Sequence, residues 1–224
     1  MPLPLAVDEA PNPWLSWSYL HDNADAILAA TRQHVTLTLV SVGLGLLLAL
    51  PLALLARRSR HLETFILGLA GVIYTVPSLA LFAVLAPITG LTQKTVIIGL
   101  TAYTLLVLVR NVLTGLQGVP PDVVEAARGM GLGPLRLLLR VQLPLALPAV
   151  LAGVRVATVS TIALVTVGAV VSSGGLGQLI FEGFNNNFYR AEILTATLLC
   201  VLLAAIADGV LLAVEWVLTP WSRR

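Results

Sequence analysis

The sequence has little charge, one lysine, one cysteine and few aromatic or imidazole side chains. Only 11% of its 224 residues are charged against 58% hydrophobic, and the mean hydropathy is +0.94. Soluble domains carry about 25% charged and about 45–50% apolar residues, so this inventory cannot cover a water-facing surface. It excludes a soluble enzyme, a disordered chain and a nucleic-acid binder. The lone Cys200 excludes a disulfide framework and a multi-thiolate metal site within one chain. His21, His34 and His61 are widely separated, so no metal site is expected. The only lysine is Lys94, and no Gly-Lys-Ser/Thr follows Gly174-Gly175-Leu176-Gly177. That run is therefore not a phosphate loop, and it reads as a flexible turn on the outer face. A chain without an ATP site does not power itself and is not expected to be an enzyme. Its first residues lack a basic region followed by a short apolar core, so no cleavable signal peptide is expected.

What the sequence has instead is long apolar runs. Residues 35–56, 65–88, 95–116, 146–171 and 191–218 each meet the roughly 20-residue requirement of a membrane helix. They are too long, and too little alternating, for strands of an outer-membrane barrel. The fold class is an all-α membrane protein with five transmembrane helices. One face holds Arg57, Arg58, Arg60, Arg128, Arg136, Arg140, Arg223 and Arg224, with Arg110 and Arg155 in helices near it; the other holds Arg32, Lys94 and Arg190. Basic residues favour the cytoplasmic side, which predicts the N-terminus outside and the C-terminus inside. Residues 1–33 then form an outer-face interfacial segment, with a helix over 12–32 anchored by Trp14, Trp17 and Tyr19, or a partly disordered lead-in. Residues 34–218 form the transmembrane domain, including a cytoplasmic loop at 117–145, and 219–224 form a cytoplasmic tail.

Small residues four apart allow helices to approach closely in lipid. They line one stripe of the first span (Ser41, Gly45, Ala49, Ala53), the fourth (Ala149, Gly153, Ala157, Thr161) and the fifth (Ala196, Cys200, Ala204, then Asp208). Such stripes also arise by chance in a chain rich in Ala and Gly. Pro77 interrupts the second span and either kinks it near a path or shapes packing. Asp208 lies ten residues before the inner end of the fifth span, a depth of about 15 Å. Arg155 lies at comparable depth in the fourth, so an Arg155–Asp208 contact is predicted, or failing that one between Asp208 and Arg110. The alternatives are an Arg155 that snorkels alone and an Asp208 that attracts a cationic substrate. Tyr74, Ser78, Tyr103, Ser160, Thr161 and Thr166 are candidate path-lining groups, though packing accounts for them equally well.

The loop is more structured than a linker requires. Pro120-Pro121-Asp122 is a helix start, with an end near Gly129 or Gly131, and a second short helix begins at Gly133-Pro134. Arg136 and Arg140 share a face of that second helix, which suits a groove on another protein or the lipid headgroups. Glu125-Ala126-Ala127, then Gly131, Val141 and Leu143-Pro144, resemble the EAA loop of ABC importer permeases, where the family has Ile at the place of Val141. The stretches Thr75 to Phe82, Arg110-Asn111, Gly115-Leu116 and Ser172 to Gly177 are similar to permeases of osmoprotectant importers, which carry glycine betaine, choline, carnitine or proline betaine.

That resemblance implies a type I importer fold of the methionine-permease kind, in a bacterial inner membrane. Its partners would be a cytoplasmic ABC ATPase dimer holding ATP and Mg, a second permease subunit, identical or homologous, and an extracytoplasmic substrate-binding protein. Glu125, Ala126, Ala127, Gly131, Val141, Leu143 and Pro144 would be the coupling residues. Other readings are a methionine-type permease, an ion-coupled secondary transporter or channel, and an assembly subunit without a path. The second of these usually shows paired broken helices or inverted repeats, which the sequence does not display.

Overall fold

In the computed structural model the described residues are 12–172 and 174–223. Residues 1–11 of the N-terminal segment, Ser173 of the glycine-rich run and Arg224 lie outside them. Helix α1 (Trp17–Asp22) is capped by the Ser16 hydroxyl, which accepts from the Tyr19 N–H at 3.2 Å. Helix α2 (Ala24–Ala56) follows directly and runs for 33 residues. The expected interfacial helix over 12–32 is thus reduced to six residues, and residues 24–33 are the first turns of α2. The cause is local: 24–33 is rich in alanine, with Asp25 in the first turn, and nothing there stops a helix.

The expected second span is not one rod. Helices α3 (Arg60–Thr75) and α4 (Ser78–Thr89) meet at an angle of 98°. Val76 is extended at φ −66° and ψ 130°, the conformation a following proline imposes, and Pro77 has no N–H to continue the ladder. Among the described residues, four helical stretches are long and apolar enough to cross a membrane continuously, and the bent pair makes a fifth crossing if it is counted as one.

Helix α5 (Gln93–Gln117) is the centre of the bundle, packed between α2 and α8 and also against α3 and α4. It buries Leu108, Val109, Val112 and Leu116 against Ala49, Ala53 and Ala56 of α2 and against Ala146, Val150 and Ala157 across from them. The loop helix α6 (Pro121–Gly129) is followed by α7 (Pro134–Leu137), a five-residue π turn (Leu138–Gln142) and α8 (Leu143–Gly168). The last three form one continuous 35-residue stretch, Pro134–Gly168. The second loop helix is therefore not separate: it is the root of the fourth span. Pro144 supplies the reason for the π turn. It has no N–H for the Arg140 carbonyl, and the Leu143 N–H reaches back to Leu138 instead.

A further helix, α9 (Leu176–Asn185), begins inside the glycine-rich run expected to be a flexible turn and continues beyond it. It packs on α10 (Arg190–Leu218), which also lies along α8; the described chain ends in a short 3₁₀ turn (Pro220–Arg223). The Asn12 side chain bonds the Phe188 carbonyl at 2.9 Å and the Arg190 N–H at 2.8 Å, and the Arg190 guanidinium sits 5.0 Å from the Trp14 ring. These contacts pin the described start of the chain to the α9–α10 turn. There, burial and the nearby Glu192 push the Tyr19 phenol well above its ordinary value.

The small-residue stripes lie at helix contacts. Ser41, Gly45, Ala49 and Ala53 are all buried, with Gly45 against Thr104 of α5. At Gly153 a Cβ would stand 2.5 Å from the Asn111 Cβ, so α5 and α8 reach this separation only without a side chain there. Ala196 of α10 is buried in a cluster with Ala30, Leu176 and Leu179. The outer faces carry exposed leucine, isoleucine and valine, among them Leu202, Ile206 and Val210 of α10, as a lipid-facing surface requires.

Candidate functional site

The EAA-like residues occupy an exposed helical corner. Pro121 opens α6 at a position where its missing N–H costs nothing, and Asp122 sits in the positive first turn. The helix ends in a Schellman arrangement: the Leu132 N–H bonds the Ala127 carbonyl and the Gly131 N–H bonds that of Arg128. Gly131 has φ +81°, a left-handed conformation that other residues adopt only at a cost. This explains why a glycine stands four residues after Ala127. Ala127 faces inward and is buried, whereas Glu125, Ala126 and Arg128 are exposed. Glu125 has no ion-pair partner among the described residues. Val141, Leu143 and Pro144 are half-buried at the π turn, and Gln142 between them accepts a hydrogen bond from Arg57 Nη1 at 3.0 Å. The two halves of the motif thus do different work, one turning the chain and the other joining the loop to α8.

Within the bundle, Arg155 of α8 meets Asp208 of α10. Nε donates to Oδ1 at 2.9 Å and Nη2 to Oδ2 at 3.1 Å, a two-pronged pair. Nη1 also reaches Glu215 Oε2 at 3.3 Å. Glu215 was not among the expected partners, although it lies seven residues after Asp208 and so shares its helix face. Arg110 is exposed and makes no ion pair among the described residues. A cleft of about 470 Å³ opens beside the pair, lined by Ala152, Val156, Val159 and Ser160.

A second small recess adjoins it through the shared Ser160 and brings together Tyr74, Tyr103, Ser160 and Thr161. The two tyrosine rings meet edge to face at 5.9 Å. The Tyr103 hydroxyl donates to the Val76 carbonyl at the break between α3 and α4. Ser78 and Thr166 are not part of this group. Ser78 begins α4, and the Thr166 hydroxyl donates to its own helix at the Ala163 carbonyl, 2.6 Å away.

At the opposite end from the loop, His34 ties three helices together. Its Nδ1 accepts from the Leu176 N–H at 3.3 Å, which leaves Nε2 to donate to the Ile162 carbonyl at 3.0 Å. The Gly175 N–H bonds Gln33 Oε1 at 3.2 Å, and Gly174 and Gly175 take left-handed φ values of +135° and +68°. The glycine-rich run is accordingly a held turn rather than a loose one. The apolar spacing Leu176, Leu179, Ile180 was the available signal for α9.

Comparison with known proteins fits this architecture. Residues 41–215 match the family described as binding-protein-dependent transport system inner membrane component. The chain is 36% identical over 203 residues to the choline transport system permease protein OpuBB of Bacillus subtilis, covering 90% of this chain and 93% of that one. It is 36% identical over 207 residues to the osmoprotectant import permease protein OsmW of Salmonella typhimurium, covering 90% and 96%. The carnitine transport permease protein OpuCB of Listeria monocytogenes is 35% identical over 208 residues, covering 92% and 94%. Among solved structures, an inward-facing crystal form of the MetNI methionine ABC transporter superposes with a TM-score of 0.80 at 20% identity, over 88% of this chain and 98% of that one. The four long helices, the bent pair and the loop between α5 and α8 are the frame of a multi-pass transport permease, and the chain belongs to the family of binding-protein-dependent transport system inner membrane components.

Proposed function

We propose that this chain is the permease subunit of an ATP-driven ABC importer for compatible solutes of the glycine betaine, choline and carnitine type. The observation that carries the reading is the loop. Glu125 stands exposed and without an ion-pair partner among the described residues, on a helix closed by Gly131, and the loop's second arm continues into α8. A surface of this kind receives a partner and passes its movement into the bundle. The substrate class is supported by relatives that are about one-third identical over nine-tenths of the chain. The likeness to the methionine transporter, at 20% identity, speaks for the fold alone.

On this reading a cytoplasmic ATPase dimer holds ATP and Mg and seats the loop residues Glu125, Ala126, Ala127, Gly131, Val141, Leu143 and Pro144. A binding protein delivers substrate on the outer face, and a second permease completes the path. Only a loop that contacts the closed and open ATPase differently shifts the equilibrium between inward- and outward-facing states. The face of α8 that carries Arg155 and Ser160, with Tyr74 and Tyr103 to one side and Asp208 to the other, is the proposed path wall. The N-terminus is read as outside. The excess of basic residues toward the loop end, Arg57, Arg58, Arg60, Arg128, Arg136 and Arg140 against Arg32, Lys94 and Arg190, is what supports that reading. The reading keeps the domain limits 1–33, 34–218 and 219–224, with 117–145 as the coupling loop.

The test is Glu125→Lys in the full transporter. Uptake of radiolabelled glycine betaine and co-purification of the ATPase should both be lost while the chain remains in the membrane. Preserved uptake would defeat the coupling assignment. Uptake by the chain alone in ATP-free liposomes would replace this reading with an ion-coupled transporter.

A further inference from the structure

The loop end of the bundle also holds a cleft lined by none of the seven residues that the transport reading seats on the ATPase. It measures about 450 Å³ and lies where the end of α2 faces the start of α7, lined by Leu54, Arg57, Arg58, Leu135, Leu138 and Gln142. Gln142, only 5% exposed, anchors one Nη of Arg57 and so fixes that guanidinium at the cleft. The rest of Arg57 is exposed, as is Arg58. Neither arginine has a carboxylate within ion-pair distance among the described residues, and no Asp or Glu lines the cleft. Arg60 follows two residues after Arg58, so nothing nearby in sequence offsets the charge before Glu63.

Two guanidinium groups beside leucine walls define the chemistry of the occupant. The head must be an anion with several oxygen acceptors, for which phosphate suits the planar donor fork of arginine. The remainder must be apolar, because a free inorganic phosphate would satisfy the charge and leave Leu54, Leu135 and Leu138 facing water. The cleft also sits at the ends of membrane-crossing helices, the level at which lipid headgroups lie, and basic pockets between such helices attract anionic lipid. We propose that this cleft is a binding site for an anionic phospholipid, with its phosphate between Arg57 and Arg58 and an acyl chain along Leu54, Leu135 and Leu138. The bound lipid would bridge the end of the first long helix to the root of the fourth span, next to the Arg57–Gln142 bond.

The experiment is native mass spectrometry of the full chain with whatever subunits accompany it, given phosphatidylglycerol or phosphatidylcholine. The wild type should retain phosphatidylglycerol in preference, and Arg57→Ala with Arg58→Ala should lower that retention about tenfold or more. Arg57→Lys with Arg58→Lys should keep most of it, and phosphatidylcholine should be indifferent to all these changes. Photoactivatable phosphatidylglycerol on the wild type gives a second measurement that no variant's folding affects, with crosslinks expected in residues 54–58 and 134–142. Equal retention in wild type and alanine variant, or crosslinks confined to other segments, would overturn the proposal. So would full displacement by millimolar inorganic phosphate, which assigns the site to a soluble anion. Loss of an accompanying protein from the alanine variant, without loss of lipid, would give the cleft to that protein instead.

Discussion

Tyr103 donates its phenolic hydrogen to the carbonyl oxygen of Val76. That oxygen stands at the end of α3, where the extended Val76 and the following proline deprive it of a helical partner. A residue on the central helix thus holds the bend of a neighbouring pair. Tyr103→Phe keeps the ring against Tyr74 and removes only the donor. The orphaned carbonyl should cost about 1–3 kcal/mol, read as a lower melting temperature in detergent; an unchanged melting temperature would show that another donor serves Val76.

The Arg155–Asp208 pair predicts non-additive variants. Arg155→Gln and Asp208→Asn should each impair assembly and uptake by leaving one charge without its partner. The double variant should be less impaired than the product of the singles. Glu215→Gln should have a smaller effect than Asp208→Asn, because it removes one contact of Arg155 rather than two. Strict additivity in membrane-level and uptake measurements would count against a coupled cluster.

Gly131 offers a test of backbone conformation alone, since a Cβ there would meet no atom within 4 Å. Gly131→Val should cost about 1–2 kcal/mol from the left-handed φ, and Gly131→Asn should cost less. Uptake should fall in the order glycine, asparagine, valine while membrane insertion is unchanged. Equal uptake in all three would mean that the loop tolerates a different turn.

Gly153 offers the opposite case, a position with normal backbone and no room. Gly153→Ala should force α5 and α8 apart and lower stability by about 1–3 kcal/mol, measured by thermal unfolding. Gly209→Ala on α10, where a Cβ meets nothing within 4 Å, is the matched control and should leave stability unchanged or slightly raised.

Several of these features were legible in the sequence, for identifiable reasons. Pro121 and Gly131 act through their own backbone preferences, so the loop helix has the limits that its residues prescribe. Arg155 and Asp208 were a predicted pair because an isolated charge in lipid is costly. The departures come from interactions between distant segments. Pro77 alone permits either a mild kink or a sharp break, and the bond to Tyr103, 26 positions later, helps hold the 98° bend. Gly133-Pro134 has the form of an independent start, but the helix continues from there through a π turn that relieves Pro144. Helix α9 was obscured by the glycines before it, whose left-handed turns are held by Gln33 and His34 from another helix.

On the proposed coupling, the continuity of Pro134–Gly168 makes that stretch a lever. Pro134 and Arg155 are 21 positions apart on it, roughly 30 Å at the rise of an α-helix. Along that length only the five residues of the π turn depart from α geometry. Torque applied at the loop is therefore either absorbed in those five residues or delivered to the arginine that clamps α10. On that reading the π turn, followed by Pro144 and held by the bond from Arg57 to Gln142, sets how much movement passes between the two ends.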